Sequence, residues 1–320
     1  MIRVQQTAPP AVEPVLLDEL IIWGSVGLND INNQGPDPDT RELVRSQIAS
    51  ERTRIEEVCK RALVQTTYQV TFDAEDLTLD DGSLCTSIAL PLRVRPLVSI
   101  TSVTWYDQNA VQSTLVEGTD FYKTAGESPV IALLPNKTWP TSARDFQCLI
   151  VVCVAGHAAA IAPSVATSTD TLAVVSSTAV PAVGGVRFGC ECLSGNPVYW
   201  TVFGGNLANY SDEQIVRPAT QVQVGGTDHY TAVPAPLAYY RVKIQSYTAG
   251  QPGVVDLRGI NGVIPGLMLT AISECTKFFV ENRGSGLFVG TGGFKGPVPE
   301  YIDTILRRLS PFGTGTGVIG

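Results

Sequence analysis

Two helix-forming patterns in this 320-residue chain are separated by a long stretch whose pattern is not helical. Helix and strand signals continue to Gly156 and resume at Ile264. Residues 158–262 between them are rich in Thr, Val, Ser and Gly and lack the periodicity of an amphipathic helix. This predicts a β domain, residues 158–262, inserted into a discontinuous core of residues 1–157 and 263–320. The two ends of the insert are expected to lie close together.

The first flank predicts a long helix after a short apolar segment, residues 15–23, that suits two helical turns. Asp39 and Glu42 have the spacing of a capping box, and the helix is expected to run from Thr40 to about Leu63. Apolar residues fill one face and charged residues the others, which predicts a solvated or ion-paired surface. The apolar positions are Val44, Ile48, Ile55, Val58, Cys59 and Ala62, and the charged ones are Arg41, Glu51, Arg52, Arg54 and Glu57.

The second flank predicts two further helices. One begins at Pro265, presents Met268, Ile272, Cys275 and Phe279 on one face, and ends near Arg283. The last begins at Pro299 and precedes a glycine-rich tail. The predicted fold class is therefore α+β, with a helical bundle core, an antiparallel sheet or hairpin region, and an inserted all-β sandwich-like domain or small barrel.

Alternating patterns predict strands on both sides of Gly156. In the first flank they cover residues 66–72, 87–92, 98–106, 121–124, 130–134 and 147–154. In the insert they cover residues 171–176, 186–192, 198–203, 221–224, 229–233, 239–246 and 254–257.

Charge and cysteine usage exclude several functions. The net charge is −8, with 20 acidic and 12 basic residues in the first 157 positions, and no basic stripe suits tight nucleic-acid binding. Seven cysteines without framework spacing are expected to be reduced and mostly buried. Cys190 and Cys192 share a strand face, but a structural zinc site needs about four ligands, and His157 and His229 show no matching spacing. We expect no metal and no cofactor.

No catalytic constellation is visible in the sequence, so an enzyme is not expected. The glycine-rich loop after Arg283 lacks the lysine and hydroxyl residue that end a phosphate-binding loop. No apolar run is long enough for a membrane span, and the N-terminus lacks the apolar region of a secretory signal. These features predict a soluble protein made in the cytoplasm.

The two flanks, taken together without the insert, resemble the head-to-tail connector, or adaptor, proteins of tailed bacteriophages. Glu56 and Arg61 occupy the places of that family's glutamate and arginine at the end of its long helix. Residues 90–107 are similar to its LP, central Pro and SI.SV strand signal. The other matching motifs, in chain order, are LLDEL, DFY at residues 120–122, TWP at 138–140, VVCVAG at 151–156, the helix ending at Asn282 and Arg283, and PEYIDTILRRL near the C-terminus. Two departures are Cys59 and Lys60, where the family often has Thr and Gly.

The resemblance implies a structural virion protein located at the neck, the interface between head and tail. Such adaptors form a ring, dodecameric in this family, between the portal protein and a stopper or tail-terminator protein. Genomic DNA passes through the ring without sequence-specific binding, and no membrane is involved. The contact between subunits is expected on the long helix and the strands beside it, through a heterologous interface.

Two groups of residues are candidates for contacts in such a ring. The acids of the loop after the first strand are read as a solvated hairpin tip, a channel-facing surface or a cation site, although their order does not match an EF-hand. The apolar and basic tail is either a portal-binding segment or disordered. The channel-facing candidates are Asp73, Glu75, Asp76, Asp80 and Asp81, and the portal-binding candidates are Arg307, Arg308, Pro311, Phe312, Val318 and Ile319.

The insert permits a second interpretation. Its aromatic residues in strands predict either ordinary core and rim packing or a ligand platform. The alternative function is therefore virion decoration or a carbohydrate-binding, adhesin-like module carried by residues 158–262. The aromatic residues concerned are Tyr199, Trp200, Tyr230, Tyr239 and Tyr240.

Overall fold

The computed structural model describes most of the chain and shows a protein built mainly of β-strands. The described residues are 2–17, 20, 38–77, 90–125, 128–135, 137, 144–167, 173–174, 180–181, 184–207, 209, 211–248, 251–282 and 304. Two α-helices have described limits, α1 (Pro38–Cys59) and α2 (Gly266–Asn282), and there is one 3-10 helix (Ala74–Leu77); residues 17, 20 and 304 are also helical. Four antiparallel sheets make up the rest of the regular structure of these ranges.

The predicted helical bundle core is therefore wrong. The described hydrophobic clusters are formed mainly by strand residues, because the β-branched and aromatic residues of the strands supply most of the buried apolar side chains. Residues 21–37, the loop at 78–89 and nearly all of the last 38 residues lie outside the described ranges, and with them the predicted last helix.

The chain divides into two compact units. Unit 1 contains residues 1–10 and 60–157, and unit 2 contains residues 11–59 and 158–320. This grouping differs from the division predicted from the sequence, since α1 clusters with residues 158–262 rather than with the first flank. The grouping reflects packing and not ancestry, so the insertion stays a prediction.

Unit 1 contains a five-stranded sheet and a three-stranded sheet. Their orders are β1-β2-β8-β4-β5 and β3-β7-β6. Alternate residues of β8 are buried, and they pack with Phe72, Trp105 and Phe121 in one apolar cluster. The strands are β1 (Arg3–Gln6), β2 (Thr66–Phe72), β3 (Leu90–Pro91), β4 (Leu97–Tyr106), β5 (Gln112–Leu115), β6 (Phe121–Lys123), β7 (Val130–Leu133) and β8 (Leu149–Ala155).

Unit 2 contains two further sheets that share one apolar core. Their orders are β15-β12-β17-β9 and β10-β16-β13-β14, and β11 also pairs with β16. Trp200, Tyr240 and Leu257 lie in the core between the sheets, so unit 2 contains a β-sandwich. The strands are β9 (Ala158–Thr167), β10 (Ala173–Val174), β11 (Val180–Pro181), β12 (Val186–Gly195), β13 (Val198–Gly205), β14 (Gln214–Val222), β15 (Thr227–Ala232), β16 (Tyr239–Ser246) and β17 (Gly253–Gly262).

The ends of residues 158–262 meet in one strand pair. β17 pairs antiparallel with β9, and in this register Ala158 is the partner of Gly262. The expectation that the two ends lie close together is confirmed. Helix α2 begins at Gly266, four residues beyond this pair.

Helix α1 begins and ends near its predicted limits. It starts at Pro38, which suits the first helical position, so Asp39 lies within the first turn instead of capping it. It ends at Cys59, and the next residue, Lys60, has a φ of 52°. A residue in the left-handed region commonly terminates a helix at this position, where glycine is preferred.

Gly156 directly follows β8 and lies against the backbone of Gln65, the residue before β2. Its φ is 143°, and a Cβ built on it would lie 2.4 Å from the backbone nitrogen of Gln65. The Gly156 N–H donates to the carbonyl of Pro96 at 2.9 Å. Only glycine fits this backbone approach, because any side chain would separate the paired segments.

We expect Gly156→Ala to lower the free energy of unfolding of unit 1 by about 3 kcal/mol, because it adds both backbone strain and a steric clash. Urea unfolding measures the loss. The matched control is Gly118→Ala, since Gly118 also has a positive φ of 80°, but a Cβ added there would meet no atom within 4 Å. Gly118→Ala should lower the free energy of unfolding by only about 1 kcal/mol. Equal losses in the two variants would contradict the clash.

Candidate functional sites

The outer face of the β12 sheet in unit 2 carries an unusual set of buried charges. Strand alternation directs Phe188, Cys190 and Cys192 of β12 into the sandwich core. Glu191 therefore points to the opposite face, yet it is only 8% exposed. The segment before α1 and α1 itself supply the residues that contact this outer face.

Two arginines of α1 hold the Glu191 carboxylate. Arg41 Nη1 donates to Glu191 Oε1 at 3.0 Å, and Arg45 Nη2 donates to Glu191 Oε2. Arg41 is 7% exposed, so its charge is removed from water together with that of Glu191. The two positions are four residues apart, which places both guanidinium groups on one side of the helix.

A second set of ion pairs lies in the same polar layer between α1, the segment before it and the β12 sheet. Arg52 donates to Glu13 Oε2 at 2.7 Å and to Glu56 Oε2 at 2.6 Å. Burial raises the pKa of Glu13, although Arg52 opposes this shift. On β17, Arg258 Nη2 lies 2.6 Å from Asp256 Oδ2.

These contacts change the interpretation of the charged positions of α1. Glu51 accepts hydrogen bonds from Gln47 at 3.1 Å and from Arg54 at 2.8 Å, and Arg54 also contacts Cys275 Sγ on α2 at 2.9 Å. Arg41, Glu51 and Arg52 are buried ion-paired residues, not a solvated surface. Strand alternation indicates which way Glu191 points, but no local signal in the sequence predicts that a helix covers it.

A small cavity lies within this layer of unit 2. Its volume is about 60 Å³, enough for a few water molecules. The lining is a mixture of charged and apolar side chains, including Glu13, Arg45, Glu191, Asp256 and Arg258. Every one of these charges has an opposite charge as its partner, so the layer acts as a packed polar contact between α1, the preceding segment and the sandwich.

The predicted channel-facing acids lie in different surroundings. Asp73 is 2% exposed, accepts the Gln147 N–H at 2.8 Å and pairs with Arg3 at 3.0 Å. Asp76 accepts the Asp73 N–H at 3.0 Å, and Glu75 is exposed on the 3-10 helix. Burial of Asp73 argues against a channel-facing role for that residue. Asp80 and Asp81 lie outside the described residues.

None of the portal-binding candidates falls in the described ranges, so the structure does not test their predicted role. These residues are Arg307, Arg308, Pro311, Phe312, Val318 and Ile319.

The aromatic residues of unit 2 divide between core and surface. Trp200 and Tyr240 are fully buried, and the Trp200 indole N–H donates to Asp228 at 2.7 Å. Tyr199 is half-buried on the other face of β13, and its ring centroid lies 5.4 Å from that of Tyr247. Tyr230 packs against the same core, and Tyr239 is half-buried, so three of the five predicted platform residues stabilise the fold.

The described cysteines form no disulfide bonds and are buried. Burial raises the pKa of Cys148 and Cys153 to about 11 and that of Cys275 to about 12, so these thiols stay protonated at neutral pH. Over the described ranges, no group of three or more His, Cys, Asp or Glu side chains is arranged to hold a metal ion. No described helix is long and apolar enough to cross a membrane.

Comparison with known proteins gives partial structural likenesses. A chain from the virion of a native gene transfer agent (GTA) particle is 13% identical, with a TM-score of 0.36 over 48% of this chain and 71% of that one. A chain from the neck of the native GTA particle, computed with C12 symmetry, is 15% identical, with a TM-score of 0.32 over 48% and 70%. A pilus chain of Bacillus endospore appendages is 15% identical, with a TM-score of 0.25 over 33% and 87%.

No family model and no curated protein matches the chain. The TM-scores of these solved structures are too low to establish a shared fold, so the likenesses assign no function to this chain.

We expect Glu191→Ala to lower the free energy of unfolding of unit 2 by about 3–5 kcal/mol, because it leaves buried arginine charge without a partner. Chemical denaturation followed by tryptophan fluorescence measures this. Glu274→Ala is the control, since the 2.9 Å pair between Glu274 and Lys277 is more exposed and should contribute at most about 1 kcal/mol. A loss no larger than that of the control would contradict the structural role of Glu191.

We expect Asp73→Asn to lower the free energy of unfolding at neutral pH and to change how that free energy depends on pH. The Gln147 N–H does most to lower the pKa of Asp73 below its usual 3.8, burial opposes this, and Arg3 adds to the lowering. A lowered folded-state pKa gives stability that is present above pH 3.8 and lost as pH falls through the folded value. The stability difference between wild type and variant should therefore narrow below about pH 4. A constant difference between pH 7 and pH 2 would exclude this linkage.

Proposed function

We propose that this chain is a structural virion protein, the head-to-tail adaptor at the neck of a tailed phage or a related particle. In this proposal it forms a ring, with twelve subunits as the expected number, between a portal protein and a stopper or tail-terminator protein. DNA passes through the ring without sequence-specific contacts. The protein is made in the cytoplasm of the bacterial host and acts in the virion.

The order of the family-like motifs supports the proposal, and the pairing of Ala158 with Gly262 carries it. In the compact adaptors that the flanks resemble, the last framework strand is followed within a few residues by a helix that begins at proline. In this chain β8 ends at Ala155 and Pro265 precedes α2, with residues 158–262 between them. Because Ala158 and Gly262 are strand partners, the intervening residues return to their starting point. A compact adaptor with an added β domain accounts for this arrangement.

We expect the purified full-length chain, alone or mixed with its portal protein, to give ring-shaped particles in negative-stain electron microscopy. Class averages with twelvefold symmetry are the predicted result. Measuring the chain alone and on the portal is necessary because some ring proteins assemble only on their partner. A chain that stays monomeric and fails to bind the portal would refute the adaptor role.

We propose that the C-terminal tail is the segment that binds the portal, ordering on contact. Deletion of residues 311–320 should then abolish portal binding in a pull-down while leaving the folding of both units unchanged by circular dichroism. The matched control shortens the Gly and Thr stretch at residues 313–317 and keeps Pro311, Phe312, Val318 and Ile319. Normal portal binding by the deletion variant would show that the tail is dispensable.

A channel-facing role is proposed for the remaining acids of the first loop. Glu75 and Asp76 are the described candidates, with Asp80 and Asp81 beyond the described residues. Acidic side chains facing the channel would discourage DNA from sticking, because like charges repel. Particles carrying Glu75→Gln, Asp76→Asn, Asp80→Asn and Asp81→Asn should package or eject DNA more slowly if this role holds. Unchanged rates of packaging and ejection would exclude a channel-facing role for these acids.

A further inference from the structure

The sheet of unit 2 that contains β13 and β16 has one face directed away from the sandwich core. Trp200 and Val202 of β13 and Ile244 of β16 belong to the core, so strand alternation directs the residues between them outwards. All strands of this sheet lie within residues 158–262. The outward residues are Tyr199, Thr201 and Phe203 on β13 and Tyr239, Arg241, Lys243 and Gln245 on β16.

Ion pairs occupy one half of this outer face. Arg241 donates to Glu213 through both Nε and Nη2, and Lys243 Nζ donates to Glu213 Oε2 at 3.2 Å. The Lys243 ammonium also lies 4.0 Å from the centre of the Phe203 ring. The charged side chains of this half therefore bind one another.

The other half, here called the tyrosine face, consists of Tyr199, Gln221, Gln245 and Tyr247. Tyr199 is central, with Gln221 of β14 as its cross-strand partner on one side and Gln245 of β16 on the other. The Tyr247 N–H donates to the carbonyl of Pro197 at 2.9 Å and so continues the pairing of β16 with β13. Tyr247 is thereby held diagonally across the strands from Tyr199.

The two tyrosine rings contact each other at the surface. Their centroids are 5.4 Å apart and their planes are inclined by 37°. Tyr199 is half-buried and Tyr247 is 49% exposed, so the pair presents ring surface to the solvent. Of the aromatic residues predicted as a ligand platform, Tyr199 alone belongs to this pair, and Tyr247 was not among them.

The polar groups of the tyrosine face are not used by the fold. The side-chain amides of Gln221 and Gln245 and the hydroxyl groups of both tyrosines form no hydrogen bond to the described part of the chain. Each amide offers two N–H donors and one acceptor oxygen, and each hydroxyl both donates and accepts. Ring surface and uncommitted hydrogen-bonding groups therefore lie side by side.

We propose that the tyrosine face binds a neutral, β-linked polysaccharide. A pyranose ring with equatorial substituents exposes C–H groups on its two faces and hydroxyl groups around its rim. The C–H face packs on an aromatic ring, and the hydroxyl groups exchange hydrogen bonds with side-chain amides. Equatorial β-linkages keep successive sugars in one flat ribbon, so adjacent sugars cover both tyrosine rings.

Charge and shape select this ligand over others. The four side chains of the tyrosine face are uncharged, and the neighbouring Arg241 and Lys243 are already paired with Glu213. An anionic ligand therefore meets no available cation there, and the net charge of −8 repels it. An open sheet face accommodates a chain that runs across it, whereas a single small molecule is usually held in a concave pocket. The site uses unit 2 alone and goes beyond the adaptor role.

The experiment measures the binding of two probes, cellohexaose and chitohexaose, to the full-length chain. Both are neutral, β-1,4-linked and equatorial throughout. Isothermal titration calorimetry should give a dissociation constant of about 1 mM or lower for at least one of them. Saturation-transfer NMR should show the sugar C–H protons in contact with the protein.

Variants of the tyrosine face test the assignment of the site. Tyr247→Ala should weaken binding roughly tenfold, because one ring surface is lost. Gln245→Ala should weaken it by up to roughly tenfold, because hydrogen bonds to the sugar rim are lost. Tyr247→Phe keeps the ring and should retain most of the affinity. Both side chains are exposed, so circular dichroism should show unchanged folding.

The matched control is Tyr122→Ala, since Tyr122 is also a strand tyrosine and is 46% exposed, but lies in unit 1. It should bind the probes as wild type does. Absence of binding of both probes at about 10 mM, or equal losses in Tyr247→Ala and Tyr122→Ala, would overturn the proposal. Weaker self-association of Tyr247→Ala in sedimentation velocity, without binding of either probe, would overturn it in favour of a second copy of the chain. Twelvefold rings formed by a chain that binds neither probe would exclude the polysaccharide site and leave the adaptor role standing.

Discussion

The buried Glu191 carboxylate is the interaction on which the arrangement of unit 2 depends. A carboxylate removed from water is costly unless hydrogen bonds and opposite charge replace the lost hydration. Arg41 and Arg45 supply both, and they lie on one side of α1. The position of that helix over the β12 sheet follows from this requirement, because few other placements would satisfy the carboxylate. Apolar packing stabilises the contact between α1 and the sandwich, whereas the ion pairs determine where α1 lies on the β12 sheet.

The sequence predicted local structure better than packing. Strands β2 and β16 run as their alternating patterns predicted, and α1 begins two residues before its predicted start. β9 was missed, because its sequence AAAIAPSVAT has few residues of high strand propensity and its pairing with β17 is a tertiary effect. The cluster of α1 with residues 158–262 was missed for a related reason. Charged residues on a helix usually face water, and nothing nearby in the sequence marks Arg41 as an exception.

For the candidate sites, too, the sequence predicted local patterns but not the tertiary contacts. Alternation correctly indicates that Cys190 and Cys192 share a face, but only the sheet pairing reveals that this face is the sandwich core. The acidic loop looked uniform in sequence, whereas Asp73 is buried and Glu75 is exposed. The ion pair between Arg3 and Asp73 in unit 1 joins residues far apart in the chain. Their grouping depends on strand register, which the alternating pattern of a single strand does not reveal.

The pairing of Ala158 with Gly262 has a consequence for how such proteins can diversify. A segment whose ends are neighbours can be exchanged by recombination without altering the chain on either side. The buried ion pairs of Glu191 restrict that freedom, because Arg41 and Arg45 remain with the recipient chain. A replacement domain must therefore bring its own anion to the same position on its outer sheet.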